Sequence, residues 1–205
     1  MSKKVDAYVK QTYGYFYDDG LVELIMGFFF VLVGGIFVAT QMGNKNPLIN
    51  LLLSIGLVVL ILGGSFSINH VVRSLKQRVT YPRTGYVAYK NEVDKRSNKV
   101  IWGAVIFLIT ISLFLPDAFS QVQFMIGGVL AAMLVFLGYR TNVWRFYILA
   151  LAVFLIGIFT TALFIDEVLG TGLTFLGTGC LLLISGSVTL VRYLHQHPVI
   201  EDGVA

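Results

Sequence analysis

LVELIMGFFFVLVGGIFVATQ, residues 21–41, contains a single charged side chain, Glu23. About 20 apolar residues in a helix cross the ~30 Å hydrocarbon core of a bilayer, so this stretch reads as a transmembrane helix. Five further runs of the same character follow at 47–67, 100–115, 122–139, 146–165 and 172–191, the third being the shortest. In lipid every backbone N–H and C=O must be satisfied within the protein, which leaves helices or a closed barrel. Barrel strands would show ~10-residue alternating segments, whereas these runs are longer and do not alternate. The expected fold is therefore all-α, an integral membrane bundle of six transmembrane helices. Short links at 42–46, 116–121 and 166–171 would pair the spans as three antiparallel hairpins.

Composition agrees. Of 205 residues, 57% are hydrophobic and 13% charged, against about a quarter charged in water-soluble domains. Lys and Arg are distributed unevenly between the two sides. Fourteen lie in the amino-terminal tail, the second and fourth connections and the carboxy-terminal tail, and only Lys45 lies in the others. Cations stay on the cytoplasmic side during insertion, so both termini are expected in the cytoplasm, with the protein multi-pass in the plasma or inner cell membrane. The net charge of +4 follows from this bias and calls for no nucleic-acid partner. A basic face also attracts anionic lipid headgroups. Cys180 is the sole cysteine, which excludes an intrachain disulfide.

Residues 1–20 read as an amphipathic cytoplasmic interfacial segment, with Val5, Val9, Tyr13 and Phe16 on one helical face. Asp18-Asp19-Gly20 is a helix-start signal ahead of the first span. The transmembrane domain covers 21–191 and includes a cytoplasmic loop at 72–98, and 192–205 form a cytoplasmic tail. Residues 62–68 and 184–190 resemble each other weakly, a hint of internal repetition. Glycines recur at seven-residue spacing at Gly27/Gly34 and Gly172/Gly179/Gly186, as do Ala131/Gly138. Such stripes let helix backbones approach closely. The other reading, unwound helix at a binding site, is less favoured, since no proline lies near the middle of a span.

Candidate chemistry is sparse. Glu23 is the one carboxylate inside an apolar run, and an ionisable group there is a functional hypothesis by default. Its position in a first turn also suits an anchor that complements the helix dipole and meets an arginine of the cytoplasmic loops. In the loop, Tyr81-Pro82-Arg83-Thr84-Gly85-Tyr86-Val87 combines a turn signal with β-favouring flanks, and Val79–Tyr81 with 86–89 read as a small hairpin. Arg83 between Tyr81 and Tyr86 is placed to receive a phosphate or headgroup, or to act as an aromatic and basic surface anchor, the reading preferred here. His70 leaves the second span at the boundary, and His195 and His197 follow the sixth. Without clustered acids or cysteines they make a poor metal signal. Hydrolase, zincin, phosphate-loop and heme motifs are absent, and no cofactor is implied. Serines and threonines within the spans are expected to bond to their own helices.

Asp18-Asp19-Gly20-Leu21-Val22-Glu23, the Tyr81–Val87 loop and the Arg192…Pro198 ending together resemble a group of small prokaryotic polytopic membrane proteins of unknown function with a Tyr-Pro-Arg-x-Gly-Tyr cytoplasmic loop. The resemblance implies no activity. From the residues alone, the favoured function is a non-enzymatic membrane component that binds lipid or a partner membrane protein. Candidate contacts are Glu23, His70, Tyr81, Arg83 and Tyr86. A small oligomeric transporter or channel is the alternative, with Asn50, Ser54, Ser112, Thr160 and Thr161 available to line a pathway. A lipid-acting enzyme is the second, requiring Glu23, His70, Arg83 and His195 to converge.

Overall fold

The computed structural model describes residues 17–42, 47–81, 122–163 and 166–197. These form five helices: α1 (Leu21–Met42), α2 (Pro47–Val79), α3 (Val122–Thr141), α4 (Arg145–Ala162) and α5 (Glu167–Gln196). All five are long and apolar enough to cross a membrane, and there is no strand among the described residues. The third apolar run, at 100–115, lies outside them, as do residues 1–16 and the loop that carries Arg83 and Tyr86. The protein is thus a helical membrane protein, and the described lysines and arginines all lie toward one end, called here the basic end.

The most extensive packing joins the first and last helices, and glycine is the reason. In antiparallel register Gly20 faces Gly186, Gly27 faces Gly179 and Gly34 faces Gly172. A Cβ added at Gly27 would stand 2.8 Å from the Leu183 nitrogen and 2.9 Å from the Gly179 oxygen; one at Gly179 would stand 2.7 Å from Val31. The seven-residue stripes are therefore backbone contacts between continuous helices. Dispersion over closely approached backbones is a main source of helix association where lipid removes the hydrophobic drive. Gly20 is doubly constrained, with φ +69° and a hypothetical Cβ 2.6 Å from the Gly186 oxygen.

The second close pair is α3 with α4, where Gly127 and Gly157 meet; a Cβ at Gly127 would lie 2.8 Å from the Gly157 Cα. These helices are linked at the basic end by a short turn in which Asn142 takes φ 58°. That left-handed residue just past a helix end is a common C-terminal stop, which Asn tolerates better than most. Phe146, Leu149, Ala150 and Val153 of α4, Ala131 and Leu134 of α3 and Leu182 of α5 form the buried core. Sequence neighbours do pack as hairpins, α1 with α2 and α4 with α5. Loop length nonetheless did not foretell the dominant interface, which closes the bundle between its two ends in sequence.

α2 departs from the sequence expectation. Helix continues to Val79, through the first part of what reads as a loop at 72–98, and Tyr81 is again helical. The β-hairpin expected at Val79–Tyr81 is therefore replaced by helix. Val72, Lys76 and Thr80, four residues apart and all buried, make one helical face. Burial of that face against the bundle outweighs the β-favouring residue types. Toward its start, Leu48, Leu52, Ile55, Val59 and Leu62 are exposed, as suits a helix at the rim of a bundle in lipid.

Candidate functional site

The start of α1 is tied down by cations from two other helices. Asp19, 1% exposed, meets the equally buried Lys76 of α2 at 2.6 Å. The same carboxylate oxygen accepts from Thr80 Oγ1 at 2.9 Å, and the other from the Leu21 backbone N–H at 3.2 Å. The Asp18-Asp19-Gly20 signal thus does start the helix, through Asp19. Burial pulls the Lys76 ammonium below the ordinary lysine range, and Asp19 opposes that pull. Asp18 is exposed, yet partial desolvation by its surroundings pushes its carboxyl above the ordinary value against the attraction of Arg145.

Glu23, 2% exposed, is the second tie. Its Oε1 accepts from Arg145 Nε at 2.7 Å, and its Oε2 accepts from Ser185 Oγ at 2.7 Å. Arg145 also donates through Nη2 to the Tyr17 carbonyl, and its guanidinium lies 5.6 Å from the Phe146 ring centre. Tyr17 in turn meets Phe146 edge to face at 5.7 Å. A buried ion pair requires such additional hydrogen bonds to offset the cost of desolvation. Glu23 therefore joins α1, α4 and α5 at one point.

Immediately inside this junction lies a groove between α1 and α3, which do not pack on each other. Val22, Met26 and Phe30 form one wall, and Leu130, Met133 and Leu137 the other. Tyr17, Glu23 and Phe146 stand at its mouth, with Thr178 and Leu182 of α5 behind. The cavity between these walls is about 30 Å³, and Met133 on its lip is 46% exposed. From Val22 to Phe30 the wall is about 12 Å long at 1.5 Å per residue, most of the ~15 Å depth of one leaflet's hydrocarbon.

The other candidate residues are dispersed. His70 and His195 are exposed, and neither is among the hydrogen-bond partners of Glu23. His197 stacks on Tyr193 at 4.6 Å, and Tyr81 sits half-buried beyond the end of α2. The span hydroxyls bond as expected to their own helices: Thr174 to Gly170 O, Thr178 to Thr174 O and Ser54 to Asn50 O. Thr160 additionally lies 3.1 Å from the Thr174 hydroxyl, joining α4 to α5. Ser185 is an exception, since it serves Glu23, and Thr161 is another, its hydroxyl buried without a hydrogen bond among the described residues. Asp19, Lys76, Arg145 and Ser185 were not singled out as site residues from sequence; only the helix-start aspartate and an unspecified loop arginine pointed toward them. No family model, curated protein or solved structure matches the chain.

Proposed function

We propose that the protein is a non-enzymatic component of the plasma or inner cell membrane, with its basic end in the cytoplasm, that binds a membrane lipid. One acyl chain lies in the trough between α1 and α3, and the headgroup rests at Arg145. The observation that carries this reading is an apolar groove whose α1 wall runs about 12 Å and whose lining residues Tyr17 and Glu23 both bond a partly exposed arginine. Arg145 is 26% exposed and has five N–H donors, of which the bonds to Glu23 and Tyr17 use two. A plain lipid-facing helix surface would offer neither walls on both sides nor a fixed donor at headgroup depth. The transporter or channel reading has less support: Thr160 and Thr174 are turned into a helix contact, and the groove walls are apolar.

The test is photolabelling with a phospholipid that carries a diazirine on its acyl chain, followed by peptide mapping. Adducts on 22–30 and 130–137 should survive exchange into excess detergent, while adducts on Leu52 or Val59 of the exposed α2 face wash down to background. Met133→Trp, a change on the exposed lip, should abolish the retained adducts. Equal loss from groove and α2 surface would refute a bound lipid.

A further inference from the structure

Resting on that groove reading, the charges at the mouth narrow the headgroup. Segment 17–23 brings three carboxylates, Asp18, Asp19 and Glu23, to a place where α2 and α4 supply two cations, Lys76 and Arg145. Asp19 is consumed by Lys76 in a buried pair, and buried Glu23 by the partly exposed Arg145. What remains at the surface is the carboxylate of Asp18, which is exposed and lies within electrostatic reach of both Arg145 and the half-buried His197, and the outward side of the Arg145 guanidinium. The two are held as neighbours by the backbone. The Tyr17 carbonyl accepts from Arg145 and Asp19 is fixed to Lys76 and Thr80, so Asp18 sits between two anchored residues. The mouth therefore presents one acceptor and one donor face side by side, with a net negative balance among the groups named.

We infer that the groove selects a zwitterionic phosphoethanolamine headgroup, its phosphate on the free N–H face of Arg145 and its primary ammonium on Asp18. A headgroup with a phosphate and no cation would satisfy Arg145 but leave Asp18 facing a second anion. A choline headgroup carries a positive charge with no N–H to donate, so it gains only the Coulombic part of the contact. The preference differs from the one that the basic loops alone suggest, which is for anionic lipid.

The experiment uses the full chain in vesicles of equal chain composition, doped in turn with diazirine-acyl phosphatidylethanolamine, phosphatidylglycerol and phosphatidylcholine. In the wild type, retained groove adducts should rank ethanolamine first. Asp18→Asn should lower the ethanolamine yield about threefold, the order of one exposed ion pair, and leave the glycerol yield equal or higher. Asp18→Glu should restore the ranking. Glycerol above ethanolamine in the wild type, or equal loss of both in Asp18→Asn, would overturn the headgroup assignment while the groove stands. No retained adduct with any of the three would overturn the groove reading and this inference with it.

Discussion

Asp19→Asn tests the buried clasp at the start of α1. Asparagine keeps the shape and one acceptor oxygen, which can serve Leu21 N–H while its amide NH2 faces Thr80 Oγ1, so the change removes the charge and one acceptor. It leaves the ammonium of Lys76, 2% exposed, without its counter-ion. Removing one partner of a buried pair costs about 3–5 kcal/mol, a large part of the stability of a small protein. Lys76→Met alone should cost less, since Thr80 and Leu21 still donate to Asp19. The double variant should return to within about 1 kcal/mol of the wild type, because neither charge is then buried. The shortfall from additivity is the coupling energy, here about 3 kcal/mol or more, at or above the upper end of what neighbours in one network give. The assay is unfolding in mixed dodecylmaltoside and SDS micelles followed by circular dichroism. The pH dependence has a definite sign. Lys76 already sits below its ordinary value because of burial, and loss of Asp19 lowers it further. Between that folded value and the ordinary 10.5 the unfolded chain holds more protons, so Asp19→Asn should regain stability as pH rises through this window. Single variants that each cost under about 1 kcal/mol, with an additive double, would show that water reaches Lys76 and refute the reasoning.

The same assay serves three further changes. Gly179→Ala places a Cβ 2.7 Å from Val31 and 2.8 Å from the Gly27 oxygen, and should cost about 1–3 kcal/mol by overpacking; Gly35→Ala, with open space around it, should be near neutral. Asn142→Gly, at φ 58°, should stabilise by a few tenths of a kcal/mol, about what relief of a left-handed backbone brings. Glu23→Gln should cost about 1–2 kcal/mol, less than for a fully buried pair, because Arg145 loses its counter-ion while 26% exposed; Glu23→Gln with Arg145→Met should recover much of it.

The sequence displayed its helices because lipid enforces length and apolarity on each one separately. The seven-residue glycine stripes were legible for the same reason, since their spacing is a property of one helix. Which stripe meets which is a property of two, and the pairing of Gly20, Gly27 and Gly34 with Gly186, Gly179 and Gly172 needed the fold. Glu23 announced itself as a lone carboxylate in a first turn, but its partners lie 122 and 162 residues away, and nothing local distinguishes Arg145 from the other arginines of that end. Lys76 was hidden by a different cause. It lies beyond the apolar run, in a stretch whose polarity reads as loop, although Val72, Lys76 and Thr80 already repeat every four residues. Arg83 and Tyr86, which drew most attention in the sequence, lie outside the described residues. The groove lies between helices whose backbones stay apart, and no single segment encodes such a space.

The most direct measurement is a cryo-EM structure of the protein in nanodiscs made from native membrane lipid. The account predicts one elongated density between α1 and α3, running from the level of Phe30 and Leu130 to a headgroup within about 3 Å of an Arg145 nitrogen. A trough closed by direct contact of Met26 and Phe30 with Leu130 and Leu137, or filled by protein, would contradict it.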